Sequence, residues 1–351
     1  MKIGQISITK TGPLYFIADI ASNHDGDITR AFKLIELAKE TGAHAAKFQN
    51  FQAEKLISKV GFNVLGKLSN QAAWKKSVFE TYKDASISFE WTAKLKAKCD
   101  EVGIEYLTSP YDFESVDHVD PFVNAYKIGS GDITWLEIIE YIAKKGKPVI
   151  IATGASSLED ITRSMETIQK YTDNIVLMQC NTNYTANTEN FKYINLNVLK
   201  TYRDIYPDII LGLSDHTKGY STVLGAVPFG AVVFEKHFTD DNSRDGQDHK
   251  FAMDPKSWKK MVQCAEEVYM ALGDGIKKVE DNEKESALSY KRSIRAKYNI
   301  RKNSIITSEM LDFLRPLSNK GVPPYRVSEM VGKKVIKKIK KGEELVFEKL
   351  Q

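Results

Sequence analysis

The feature that most constrains this chain is an alternation: eight short, β-branched runs, each followed by an amphipathic helical stretch, occupy positions 15–272. The runs fall at 15–21, 44–50, 104–109, 125–130, 148–154, 175–180, 209–215 and 231–238. Helical periodicity covers 29–41, 89–102, 112–119, 134–145, 157–171, 194–204, 218–227 and 255–272. Such alternation marks βα units around a parallel sheet. Eight units favour a closed (β/α)8 barrel over an open doubly wound sheet. A barrel takes about 250 residues, so a chain of 351 leaves a remainder.

The interval 51–88 interrupts the rhythm. A loop of that length in a compact barrel is functional or carries its own helix, and 71–82 (QAAWKKSVFETY) is the candidate. The barrel is assigned to 1–272. Residues 273–290 are polar and charged and read as a linker. The remainder, 291–351, holds short strands in SIRAKYNI and KKVIKKI, turns at Ile300–Asn303 and Ile339–Gly342, and the Pro-rich GVPPYRV. That is a β-rich module close to the lower size of an independently stable domain, so it is expected to dock on something.

Net charge is +4, unevenly placed: 16 Lys+Arg face 6 Asp+Glu from Lys291 onward, against 34 and 40 before it. A basic tail of this kind serves an anionic substrate or nucleic acid, or is a solvated face. The opening MKIGQISITK lacks a secretory apolar region, and no apolar run reaches the roughly 18 residues of a membrane span. A soluble cytoplasmic protein is expected. Cys99, Cys180 and Cys264 are odd in number and widely spaced, which fits reduced thiols rather than a disulfide framework or zinc pair.

Barrel chemistry collects at the C-terminal ends of the strands. The polar residues there are Asp19, Asn23, His24, Lys47, Gln49, Ser109, Lys127, Ser130, Thr153, Asn181, Tyr184, Ser214, Asp215, His216, Glu235, Lys236 and His237. His216 and His237 end neighbouring strands, so their imidazoles can converge on a divalent transition metal of the manganese kind. His24, His44 and His118 lack such a partner and are read as structural. Lys47 and Lys127 suit phosphate or carboxylate; either, or Lys236, could instead form a Schiff base. Gly129-Ser130-Gly131-Asp132 adds backbone N–H groups for an anion.

These segments resemble the sialic acid synthase family, which includes N-acetylneuraminate, legionaminate and pseudaminate synthases. The resemblance rests on IADIASNHDGD (17–27), AAKFQ (45–49), YKIGSGD (126–132), GKPVIIATGA (146–155), GLSDHT (212–217) and FEKHFTDD (234–241). The tail is similar to that family's antifreeze-like (SAF, β-clip) module through RSIRAKYNIRKNSIITSEML (292–311), RPLSNKGVPP (315–324) and VGKKVIKKIKKGE (331–343). The resemblance implies a carbon–carbon bond-forming transferase that condenses phosphoenolpyruvate with an N-acetylmannosamine-like aldehyde, breaks the C–O bond and releases phosphate. It implies a divalent ion, Mn2+ first and Mg2+ or Co2+ next, on His216 and His237. Lys47, Lys127, Ser130, Ser214, Gln49 and Ser109 would hold phosphoenolpyruvate; Tyr184, Glu235 and Asp248 would hold sugar hydroxyls. In the family the module covers the partner subunit's barrel mouth in a homodimer, and Arg315 matches the arginine it lends to the sugar.

Asp19 stands where relatives commonly carry Glu, Ala152 where they often have a hydroxyl, and Gln179 where His is common. The phosphoenolpyruvate half is therefore expected to be retained and the sugar half altered. Two other barrel readings stay open: a Kdo-phosphate or heptulosonate-type synthase, and a lysine aldolase using pyruvate. Nucleic-acid binding by the tail is disfavoured, because no recognition helix or aromatic stacking motif accompanies it.

Overall fold

A computed structural model of the chain describes residues 1–66, 68, 71 and 74–351. It divides into two compact units, Met1–Leu272 and Gly273–Gln351.

The first unit is a TIM barrel, preceded by a small hairpin pairing Lys2–Ile3 with Ile6–Ser7. Its strands are β1 (Tyr15–Asp19), β2 (Ala45–Asn50), β3 (Glu105–Pro110), β4 (Tyr126–Ile128), β5 (Val149–Ala152), β6 (Ile175–Cys180), β7 (Ile210–Asp215) and β8 (Ala231–His237). They form one parallel sheet in the order β3-β2-β1-β8-β7-β6-β5-β4, and β3 and β4 lie alongside each other, bringing the sheet round on itself. Nearly every strand residue is buried, as strands covered on both faces must be. The helices that cover them begin where capping predicts: Asp27, Ser88, Asp112, Ser157 and Asp254 each accept a hydrogen bond from a first-turn N–H.

The 51–88 interval carries helices at Ala53–Leu56, Lys59–Leu65 and Val78–Ala85. The expected helix at 71–82 is displaced: Ser77 forms a capping box with Glu80, so the helix starts beyond it, and residues 72 and 73 lie outside the described residues.

The second unit is built around its own buried cluster, including Ile294, Ile306, Met330, Val335, Ile339 and Leu345. Ser293–Ala296 pairs antiparallel with Leu311–Leu314. KKVIKKI, expected as a strand, makes only isolated bridges from Lys334, Val335 and Ile339. Val335 and Ile339 are buried, but Lys337, midway between them on what would be the same face, is exposed, so the run does not alternate face by face. Within 273–290, Lys284–Tyr290 is helical. Among the described residues no helix is long and apolar enough to cross a membrane.

Candidate active site

Parallel register sets the level at which side chains meet. Asp19 pairs with His237 on β8 and with Lys47 on β2, Ser214 pairs with Glu235, and Gln49 with Ser109. With a period of two along each strand, Lys47 and Gln49, Glu235 and His237, and Ser214 and His216 share the inner face. They open into a cavity of about 310 Å³ at the C-terminal mouth. Asp19, Lys47, Gln49, Ser109, Lys127, Ser130, Tyr184, Ser214, His216, Glu235, His237 and Asp248 line it, whereas Asn23, His24, Thr153, Asn181, Asp215 and Lys236 do not.

Lys236, beside His237 in sequence, turns the other way. Its ammonium is closed off by the Asp215 carboxylate and by the Thr217 carbonyl at 2.7 Å, and it does not line the cavity. It is removed as a Schiff-base candidate. Gln179 is also outside the cavity, donating to the Ile194 carbonyl at 2.9 Å. Ala152 does line it, so that departure lies in the site.

Glu235 sits between the two inner lysines. Its Oε1 is 3.1 Å from Lys127 Nζ and accepts from Ser214 Oγ at 3.0 Å; its Oε2 is 3.9 Å from Lys47 Nζ. Burial works against its charge, but Lys127 and Lys47 outweigh it and hold the carboxyl down at about 2. Lys47 also meets Asp19 Oδ2 at 2.6 Å, and despite burial these carboxylates raise its affinity for a proton. Burial dominates at Asp19, whose pKa rises in spite of Lys47 and His237. Burial likewise lifts Asp132, on the cavity wall, to about 6, partly offset by Lys127.

His216 and His237 converge, with ring centroids 5.4 Å apart. A carbonyl only accepts, so His216 Nδ1, 3.0 Å from Asn181 O, carries hydrogen and leaves the Nε2 lone pair free. Burial and His237 lower the His216 pKa to about 3, which keeps the ring neutral. His237 Nδ1 is buried without a hydrogen bond, as are Asp19 Oδ1, Glu235 Oε2 and Ser109 Oγ. Buried polar atoms are normally satisfied, and these four face one cavity. Among the described residues no three His, Cys, Asp or Glu side chains form a metal site by themselves. Two imidazoles would leave a divalent ion's remaining positions to water and substrate oxygens, so the donor set fits an ion that must also take substrate.

Arg315 belongs to the second unit, where its exposed guanidinium lies 5.1 Å from the Tyr290 ring centre. Three of the four other histidines have these structural partners: His24 Nδ1 accepts from Gly26 N at 3.0 Å, His44 Nδ1 from Phe16 N at 3.1 Å, and His118 stacks on Phe89. Cys99 and Cys180 are buried free thiols; Cys264 is half-buried. Sequence reasoning missed Ser22, Tyr82, Tyr111 and Gln247 as cavity residues. They lie on loops or on the inserted helix, where no period marks a face.

The mouth of this TIM barrel gathers two lysines, four carboxylates and two convergent imidazoles into one cavity, the arrangement of an enzyme active site. The chain belongs to the NeuB family, whose model matches residues 34–277, and carries a SAF domain at 291–351. It is 34% identical to the N,N'-diacetyllegionaminic acid synthase of Legionella pneumophila, covering 96% of this chain and 94% of that one. It is 30% identical to human N-acetylneuraminate-9-phosphate synthase, covering 96% and 92%. Among solved structures, the N-acetylneuraminic acid synthetase of Leptospira borgpetersenii in complex with citrate superposes with a TM-score of 0.69 at 26% identity, over 81% of this chain and 95% of that one. The relatives are nonulosonic acid synthases, and this chain is an enzyme of that family.

Proposed function

We propose that the protein condenses phosphoenolpyruvate with an unphosphorylated amino-sugar aldehyde to give a nonulosonic acid and phosphate. The observation that carries the reading is the joining, in one cavity, of the Lys47–Glu235–Lys127 arrangement with the His216–His237 pair. Lys47, Lys127, Ser130, Ser214, Gln49 and Ser109 hold the phosphate and carboxylate. Glu235 fixes both lysines as counter-ion, and its unsatisfied Oε2 remains for a substrate hydroxyl. A divalent ion, Mn2+ in the first instance, bound by His216 and His237 would polarise the aldehyde. The enol carbon of phosphoenolpyruvate bonds to the aldehyde carbon, water adds at the resulting cationic carbon, and the C–O bond breaks to release phosphate. Asp19, 3.6 Å from His237 Nε2, is placed to orient that water, while Tyr184 and Asp248 hold the sugar.

Charge supports the ion. The lining carries Asp19, Asp132, Glu235 and Asp248 against Lys47 and Lys127, and among the described residues no arginine lines it. A multiply charged anion needs further positive charge there. The metal supplies part of it, and Arg315 of a second copy, in a homodimer, supplies more.

An unphosphorylated acceptor is supported by the adjoining vestibule of about 660 Å³, which shares Ser22, Trp74, Tyr184 and Gln247 with the inner cavity. Its Lys75, Lys76 and Lys250 are matched by Asp25, Asp84 and Asp245, and Lys75 and Lys76 are ion-paired with Asp245 and Asp84. A sugar phosphate would compete with those carboxylates for the lysines. Both substrates place the reaction in the cytoplasm. The test is phosphate release from phosphoenolpyruvate with Mn2+, with and without chelator, against N-acetylmannosamine, its 6-phosphate and 2,4-diacetamido-trideoxyhexoses. Release that requires metal and a neutral amino sugar is expected; release with the phosphorylated sugar alone overturns the acceptor assignment, and none with any sugar overturns the synthase.

A further inference from the structure

The segment joining β8 to the helix Pro255–Ala271 carries Gln247 and Asp248 into the cavity, yet beyond the Phe238–Met253 bridge it has no regular structure. Partly buried polar contacts to the loop after β1 hold it. His249 is wholly buried, with Nδ1 2.7 Å from Thr239 Oγ1 and Nε2 3.0 Å from Asp25 Oδ1. Because a carboxylate only accepts, Nε2 carries hydrogen and donates to Asp25. Asp25 is itself fixed, in the left-handed region at φ 52° and 3.2 Å from Arg30 Nε. Arg30 in turn donates to Asn23 O at 2.7 Å and through Nη1 to Asp240 at 2.9 Å. Gly246 lies so close to the imidazole that a Cβ would stand 2.5 Å from His249 Cδ2. The neighbouring Asp248 points to the cavity, where Ser22 Oγ donates to its Oδ2 at 2.7 Å and His237 Nδ1 stands 3.6 Å from the same oxygen.

We propose that Asp25 and His249 are positioning residues for the acceptor sugar: their hydrogen bond clasps the two loops together and so fixes Asp248 between Ser22 and His237. The clasp touches no substrate and acts through Asp248. This rests on the synthase reading above, in which Asp248 meets the sugar. An anchor of this kind matters because a displacement of about 1 Å at a reacting group can cost about 100-fold in rate.

The test uses the full chain with His249→Gln and, as a second variant that tolerates the left-handed backbone but removes the acceptor, Asp25→Gly. Each is expected to lower kcat/KM for the acceptor by about 10- to 100-fold while the phosphoenolpyruvate KM stays near wild type. In an Asp248→Ala background His249→Gln should add little, since residues acting through one another are non-additive; full additivity overturns the proposal. Independently of the reaction, amide hydrogen exchange at 246–252 should accelerate in both variants while the barrel strands keep their protection. Unchanged exchange in that segment overturns the clasp. Loss of all phosphate release in the wild type would defeat the synthase reading and leave the exchange result to decide the clasp.

Discussion

Replacing Lys236 by Met tests whether the barrel wall behind the two imidazoles is held by a buried ion pair. Lys236 and Asp215 are 1% and 0% exposed. Asp215 also accepts from Thr222 Oγ1 at 2.6 Å and from Thr217 N at 3.1 Å. Removing the ammonium leaves a buried carboxylate without its counter-charge, which costs roughly 3–5 kcal/mol. At about 2 °C per kcal/mol for a unit of this size, the barrel's Tm should fall by about 6–10 °C. Adding Asp215→Asn removes the orphaned charge while Asn keeps an acceptor for the threonines, so the double variant should recover most of the loss. The assay is calorimetry of the full chain, with phosphate release measured below the transition. A Tm within about 1 °C of wild type, on the same scale, would refute the argument. So would a Schiff-base adduct on Lys236 trapped by borohydride, since that nitrogen would have to leave the pair and cross the strand.

His216→Ala and His237→Ala should each nearly abolish turnover and weaken Mn2+ binding by more than about 100-fold, with an unchanged circular dichroism spectrum; calorimetric titration of the metal checks this. Arg315→Ala should raise the acceptor KM about tenfold, the worth of one charged hydrogen bond, and leave the phosphoenolpyruvate KM alone; equal effects on both would place Arg315 elsewhere. Acid should destabilise the barrel in two steps. His216 is held neutral to about 3, so below its ordinary value of 6.5 the unfolded chain gains a proton first; Glu235's stabilising charge is complete above about 4.5 and is lost as pH falls towards 2. Asp132, raised to about 6, and Asp19, also raised by burial, take up protons in the folded chain first and oppose this between about pH 6 and 4, so the fall in denaturant midpoint should be concentrated below pH 4, and a midpoint that rises from pH 4 to 3 would contradict the sign.

The parallel strands were legible because each is a short apolar run bounded by turn residues, and the inner residues followed from the rule that barrel chemistry gathers at strand ends. That rule could not separate Lys236 from Glu235 and His237: which face a strand residue takes is fixed only when one neighbour's side is known. His249, Asp25 and Gln247 were illegible for a different reason. They sit on irregular loops, where position is decided by long-range partners such as His249 with Asp25, 224 residues apart, and no local period records that. The second unit misled in KKVIKKI because β-branched residues were read as a strand where the backbone makes only single bridges.

The cavity's charge explains why such a site needs more than its own side chains. Every inner ammonium is already engaged: Lys47 with Asp19 and Glu235, Lys127 with Glu235. An anion entering alone would compete with those carboxylates for the same cations in a medium of low dielectric, where like charges repel strongly. Positive charge must therefore arrive with the substrate or from outside the barrel. On the function proposed above, a metal at His216 and His237 would meet that need, so removing it should weaken phosphoenolpyruvate binding more than the loss of one contact predicts. Phosphoenolpyruvate affinity measured with and without Mn2+, in wild type and Arg315→Ala, decides it: Mn2+ should tighten binding in both proteins, and an affinity independent of Mn2+ would mean that the two lysines suffice and that the carboxylates are not the barrier argued here.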